Sequence, residues 1–393
     1  MVGDKMGYMK IGAIAAGCWL LVVSYFVWWG GTRPAGEGDS LAYHIPIARM
    51  IGEGKWTDRD GYKLPFYYYP AMGETLLAGM MKMGLPINWY NLLGWIVFTG
   101  VIYGLARRWS LEKETAVIAA VTVAMWPSVI RLIPTQTVDI WVAVWWMAAV
   151  MKLTINNLQF TIEKQRNNLF WLGVYLGMLM GTKYSGLLFV FVLLVFFWRK
   201  LEKNIWKWLV PMMLVGGFWY VRNWMVVGNP IYPLEVSWLG WRGEPNLVLF
   251  TGRPILTLIT SGGVKLMAGA LVSEYLIWAG LLLTPIWIRN KWVVLGILNY
   301  FIYLILPSRA ENIISDLRYT YPAFIPLILS VWKKMEKIGK GQIIKITAVL
   351  AMFVEMTQLD YHPKLFTLMI LIVGLFFWKF EILNTKIQLK SKF

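Results

Sequence analysis

The residues that could do chemistry in this sequence are carboxylates and cations set at the ends of apolar runs. Asp39 follows Gly36-Glu37-Gly38, where the glycines free the backbone, and it opens a stretch that reads as a helix carrying Leu41, Met50 and Ile51. Asp39 or Ser40 is the expected N-cap of that helix. The N-terminal end of a helix favours an anion, which keeps Asp39 charged, as a general base or a metal ligand must be. Tyr43 lies four residues on and so shares a face with Asp39. Its neighbour His44, a lone histidine, is either a hydrogen-bonded structural residue or a ligand. Asp139 stands at the start of another apolar run, as a second acid or as the N-cap there; an ionisable group at a helix end inside a bundle is a functional candidate. Lys183, beside Tyr184, sits in the break between two short apolar segments. A charge there is costly unless an anion pairs it or its stem reaches water. Arg222 ends one apolar run and Arg318 precedes another. A guanidinium binds two oxygens at once, whether from a ligand or from Glu235, Glu311 or Asp316.

The elements that position these groups are membrane helices. Of 393 residues, 58% are hydrophobic and 15% charged, whereas a soluble domain carries about 25% charged residues. That excludes a soluble globular enzyme, a disordered chain and a coiled coil, and it implies a polytopic all-α membrane protein. Spans are expected near 11–29, 88–106, 115–133, 139–152, 169–182, 185–198, 208–224, 266–288, 292–306, 319–332, 343–359 and 364–380. The first is read as a retained helix, since no small-residue cleavage site follows it. The stretch 71–84 is apolar but short, and is expected to lie at the outer interface. The single cysteine, Cys18, excludes an intrachain disulfide and a cysteine metal site, and two histidines, His44 and His362, make no His-rich site.

The net charge of +17 reads as cytoplasmic loops of a membrane protein rather than as a nucleic-acid surface. With both termini inside, 23 of the 38 Lys and Arg fall on the cytoplasmic side. Most carboxylates fall outside, so chemistry is expected there. Two outer segments are long, about 30–87 and about 225–265, and loops of that length are usually functional. The chain 1–393 reads as one transmembrane domain with no separate soluble domain.

Several short motifs, in order, resemble those of the GT-C membrane glycosyltransferases, the polyprenyl- or dolichyl-phosphate-sugar-dependent group that includes protein mannosyltransferases and the aminoarabinose transferase of lipid A. Asp39-Ser-Leu-Ala-Tyr43-His44-Ile-Pro46, after a first membrane helix, resembles the group's D-S-x-x-Y-H-x-P signature. Tyr69-Pro70 looks like its Y-P-P element, with one proline where relatives often have two. Thr137-Val138-Asp139 resembles its acidic residue between the third and fourth helices. Gly181-Thr182-Lys183-Tyr184, Arg222-Asn223 with Gly228-Asn229-Pro230-Ile231-Tyr232-Pro233, and Arg318-Tyr319 with Pro322 complete the series. The likeness covers roughly residues 10–330. A W-W-D-Y-G motif is lacking, which argues against the oligosaccharyltransferase branch.

The resemblance implies a bundle of about 11–13 transmembrane helices, with a long first extracytoplasmic loop carrying interfacial helices, in a cell (inner) membrane. It implies transfer of a sugar, hexosyl or pentosyl, from a lipid-linked phosphate to an acceptor hydroxyl on a protein, lipid or glycan. Asp39 is then the general base and Asp139 the second acid, and direct attack inverts the anomeric centre. Lys183, Arg222 and Arg318 face the donor phosphate, with Tyr43, His44 and Tyr184 in support. Asp39 and Asp139 could share a divalent cation, Mg²⁺ or Mn²⁺. The partners are a lipid-linked donor, an acceptor and membrane lipids, and not nucleic acid. The competing classes are a transporter or flippase of lipid-linked sugars and a cell-surface polysaccharide ligase or polymerase. A transporter is expected to place its ionisable groups at mid-membrane, whereas here the acids cluster at the outer ends.

Overall fold

The computed structural model describes residues 2–56, 64–154 and 162–357. The expected span 364–380, the end of 343–359, and His362 lie outside the described residues. The chain is an all-α membrane bundle. Among the described residues three helices, Ile11–Thr32, Ile87–Arg108 and Ile255–Trp287, are long and apolar enough to cross a membrane.

The first helix, α1 (Val2–Thr32), leads through a π turn (Ser40–His44) into α2 (Ile45–Gly52). Helix α3 (Met72–Lys82) packs on α2. The central bundle is α4 (Tyr90–Arg108), α5 (Lys113–Ala124), the short α6 (Pro127–Ile130), α7 (Asp139–Leu153), α8 (Ile162–Thr182) and α9 (Tyr184–Phe196). Helix α4 lies against α5 and α7, α7 against α8, and α1 against α5. After α10 (Trp198–Leu201), helices α11 (Ile205–Met212) and α12 (Phe218–Val227) climb back along α8, joined by a π turn at Met213–Gly217. The remaining helices are α13 (Leu247–Thr251), α14 (Ile255–Leu258), α15 (Val264–Tyr275), α16 (Thr284–Trp287), α17 (Lys291–Ile305), α18 (Ile313–Asp316), α19 (Tyr321–Lys337) and α20 (Gly341–Thr357). One antiparallel pair of two-residue strands, β1 (Arg253–Pro254) and β2 (Pro307–Ser308), clips the start of α14 to the end of α17. The core is aromatic, with Trp95, Trp126, Trp146 and Trp332 fully buried.

Two expected spans differ in form. The run 115–133 is broken after Ala124, because Trp126 precedes Pro127 and adopts ψ 136°, which a residue before proline prefers to the helical region. The run at 266–288 begins earlier, at Ile255, and is interrupted where Gly262 takes φ +106°. Helices α8 and α11–α12 meet closely at Gly177 and Gly216, where a methyl group on either would collide with the facing backbone. Small residues at such a seam let helix backbones approach.

The chain reverses at a single residue, Lys183, which is extended (φ −163°, ψ 153°) between α8 and α9. Helix α9 then returns, so that Lys200 Nζ donates to the Leu153 carbonyl at the foot of α7. The loops after α1, α6, α8 and α12 and before α4, α7 and α19 therefore share one end of the bundle. At the other end Glu114 accepts from the Gly12 amide (3.3 Å) and the Lys345 ammonium (2.8 Å), joining α1, α5 and α20.

Candidate functional site

Arg318 is the hub of the loop end. It lies on a 3₁₀ turn, Leu317–Thr320, just before α19. That turn is bolted to α15, where the Tyr275 hydroxyl donates to the Leu317 carbonyl (3.1 Å) and pairs with Thr320 Oγ1 (2.6 Å). The Arg318 guanidinium meets three carboxylates: Asp39 Oδ2 at 3.1 Å, Asp139 Oδ2 at 3.3 Å and Asp316 Oδ1 at 3.7 Å. Lys183 Nζ donates to Asp139 Oδ1 (2.9 Å) and to the Tyr319 hydroxyl (3.2 Å), and Arg318 Nη2 donates to the same hydroxyl (3.3 Å). Residues 39, 139, 183 and 318 thus converge from four separate parts of the chain.

The two aspartates differ in access. The Asp139 side chain is 3% exposed and the Asp39 side chain 42%. Asp139 is therefore a buried anchor for two cations, and Asp39 is the acid that an incoming group can reach. Burial alone would pull the Lys183 ammonium pKa down, but Asp139 and Tyr319 together hold it above its usual value. Burial raises the Asp316 carboxyl against the opposing pull of Arg318, and its other oxygen accepts from Ser308 Oγ at 2.7 Å.

The helix that carries Asp39 is capped differently from the sequence expectation. Neither Asp39 nor Ser40 is the cap. Glu37 is: its Oε1 accepts from the Asp39 amide (3.0 Å), its Oε2 from the Ser40 amide (2.7 Å), and its carbonyl from the Leu41 amide (3.1 Å). Asp39 is left to face Arg318. Ser40 Oγ also donates to Glu37 Oε2 (2.6 Å) and accepts from the Gln136 amide (2.8 Å), three residues before Asp139. That second loop is held by Asn91, whose amide donates to the carbonyls of Leu132 (3.2 Å) and Thr137 (2.8 Å).

Tyr43 and His44 sit in the π turn. The Tyr43 ring lies between His44 (4.1 Å between centroids) and Phe66 (5.1 Å), and burial and the Asp39 charge push its hydroxyl pKa up. His44 is buried, with Nδ1 2.6 Å from Glu74 Oε1. Arg222 does not join the cluster. Its guanidinium reaches the carbonyls of Tyr68 (2.9 Å) and Tyr69 (3.2 Å) and the Asn223 side chain (2.7 Å). Tyr184 stands in the same knot: its hydroxyl donates to the Tyr232 carbonyl (2.6 Å) and accepts from Asn223 (2.9 Å). Together these residues fasten the 65–69 turn beneath the site. Arg131 pairs with Glu274, next to Tyr275.

A divalent cation finds no ready ligand set. Among the described residues no group of three or more His, Cys, Asp or Glu side chains is placed to hold a metal. Asp39 and Asp139 both face the guanidinium of Arg318, which a metal would have to displace.

Sequence reasoning named Tyr319 only as part of the Arg318-Tyr319 motif, without a role, and gave no role to Glu37 or Glu74. Glu37 was hidden because short side chains dominate N-caps, and Glu74 because nothing in its spacing points back to His44.

The profile of the dolichyl-phosphate-mannose-protein mannosyltransferase family matches residues 65–221, a stretch that includes Asp139 and Lys183 but not Asp39 or Arg318. No curated protein is significantly similar in sequence. Among solved structures, ArnT from Cupriavidus metallidurans in the apo state is similar with a TM-score of 0.56 and 19% identity over 84% of this chain and 62% of that one. ArnT from the same organism bound to undecaprenyl phosphate gives 0.53 and 16% over 86% and 63%. The oligosaccharyltransferase AglB from Archaeoglobus fulgidus, in complex with an inhibitory peptide and a dolichol-phosphate, gives 0.51 and 14% over 90% and 55%. The chain thus spans about three fifths of the ArnT chains it resembles. It has the fold of the GT-C membrane glycosyltransferases, and its central stretch is similar in sequence to the dolichyl-phosphate-mannose-protein mannosyltransferases.

Proposed function

We propose that this protein is a membrane glycosyltransferase that moves a sugar, hexosyl or pentosyl, from a polyprenyl-phosphate donor to an acceptor hydroxyl on the extracytoplasmic face of the cell (inner) membrane. The observation that carries the reading is the meeting of Asp39 and Asp139 on Arg318 and Lys183 at one end of the bundle. The family profile and the ArnT-like fold support the same class.

The chemistry needs a base for the acceptor hydroxyl and cations for the departing phosphate. Asp39 is the accessible carboxylate, and it takes the hydroxyl proton as the acceptor oxygen attacks the anomeric carbon. The bond to the phosphate oxygen breaks on the opposite side, which inverts the configuration. Arg318 and Lys183 receive the phosphate charge, while buried Asp139 keeps both cations in place. A phosphate oxygen arriving at Arg318 competes with Asp39 for the guanidinium, so that donor binding releases the base. Arg222 acts through the 65–69 turn that it fastens.

The test is incubation of purified protein with a panel of polyprenyl-phosphate sugars and hydroxyl acceptors. The product's anomeric configuration is read by NMR. Sugar transfer with inversion is expected, and Asp39→Asn is expected to lose it while remaining folded in the membrane. Near-normal turnover by Asp39→Asn would remove Asp39 from the role of base. Transport of an intact lipid-linked sugar without transfer would overturn the enzyme reading.

A further inference from the structure

We infer that Glu37 is a positioning residue for the reaction, acting as the helix cap that aims Asp39 and sets its distance from the Asp139 loop. This rests on the reading of Asp39 as the base, but the capping itself is independent of it.

The geometry is that of an N-cap. One carboxylate takes the amides of the second and third residues after it, Asp39 (3.0 Å) and Ser40 (2.7 Å), and the backbone carbonyl of the same residue takes the fourth, Leu41 (3.1 Å). The Asp39 and Ser40 amides are among those that a helix leaves without partners at its start, and the Leu41 bond is the first of the helix's own ladder. The same carboxylate accepts from Ser40 Oγ (2.6 Å), and that hydroxyl accepts from the Gln136 amide (2.8 Å). Ser40 and Gln136 are both fully buried. Glu37 therefore binds the backbone of Asp39 directly, and it reaches within three residues of Asp139 through a single hydroxyl. The π turn that follows, Ser40–His44, begins at the residue it holds. Inserted turns of this kind shift the register of a helix, so a fixed start is what gives Asp39 a defined direction toward Arg318.

A cap works by hydrogen-bond acceptance rather than by charge, so a neutral cap at position 37 should serve. That prediction separates capping from acid–base work. The first measurement uses no substrate. Cys18, the only cysteine in the chain, is buried, so Asp39→Cys adds one accessible thiol. Its modification rate by a negatively charged methanethiosulfonate on the membrane-embedded protein should rise about fivefold when Glu37→Ala is added. Glu37→Asn should return it to within twofold. The second measurement is turnover of a polyprenyl-phosphate sugar. Glu37→Ala should lower kcat on the order of 10²-fold with KM within threefold, as a small misplacement of a reacting group does, and Glu37→Asn should recover most of it. A labelling rate unchanged by Glu37→Ala overturns the proposal. So does a Glu37→Asn variant as poor as Glu37→Ala, which assigns Glu37 a charge role instead. If Glu37→Ala does not fold, Glu37→Asn in both assays still decides. If Asp39→Asn turns over normally, the base reading fails while the thiol rates still report on the cap.

Discussion

Removing either partner of the Asp139–Lys183 pair should destabilise the protein, and removing both should cost much less than the sum. The pair is 2.9 Å apart, with the Asp139 side chain 3% exposed and that of Lys183 15%. Deleting one member of a buried ion pair costs about 3–5 kcal/mol, because the other charge stays buried without compensation. The lower end applies here. Asn in place of Asp139 still accepts a hydrogen bond from Lys183, and after Lys183→Met the Asp139 carboxylate keeps Arg318 at 3.3 Å. Each single change should then cost about 3 kcal/mol, and the double variant also about 3, since it buries neither lone charge of this pair. The coupling energy is about 3 kcal/mol, roughly two decades in the unfolding equilibrium. The assay is equilibrium unfolding of the four proteins in mixed micelles, followed by tryptophan fluorescence. Costs that add within about 0.5 kcal/mol would show that the two residues do not share a buried pair, and the electrostatic frame of the site would fall with it.

Two further changes test the hub and its footing. Arg318 serves three carboxylates at 3.1, 3.3 and 3.7 Å, and a compact ammonium cannot span them; Arg318→Lys is expected to lower kcat/KM for sugar transfer by about 100-fold or more, measured against wild type at equal folded concentration. Arg222→Lys keeps the charge but loses the fork that holds the Tyr68 and Tyr69 carbonyls. It should destabilise the fold by about 2 kcal/mol in the same unfolding titration, and a donor KM raised tenfold at unchanged stability would instead assign Arg222 to the phosphate.

Much of the architecture was legible because burial in a membrane leaves long apolar runs that end at charges. Asp39, Asp139, Lys183 and Arg318 each stand where such a run begins or stops, and the loops between them fall on one side by simple alternation. The pairing of these groups was not legible, because it depends on which loops lean together. Asp316 was one of several acids open to Arg318, while Glu311 faces Arg309 and Glu235 takes the Ser237 hydroxyl. Arg222 was expected to meet a phosphate or a carboxylate, and its backbone partners at Tyr68 and Tyr69 were not legible, since backbone carbonyls leave no trace in a sequence. Helix interruptions were hidden for a similar reason: Gly262 and Pro127 can be tolerated in a span or can break it, and only packing decides. The cap at Glu37 escaped because a longer side chain can reach forward from a position that local rules give to Ser or Asp.

The one-residue corner at Lys183 fixes how deep its ammonium sits. A helix of 13 residues such as α9 rises about 20 Å, against a hydrocarbon layer of about 30 Å. Its partner arm α8, with 21 residues, rises about 30 Å, so the two arms of the hairpin are unequal and the return crossing is completed only through α10 and the turn that follows it. The corner leaves no slack on either side of Lys183, so its ammonium keeps the level at which Asp139 and Tyr319 meet it.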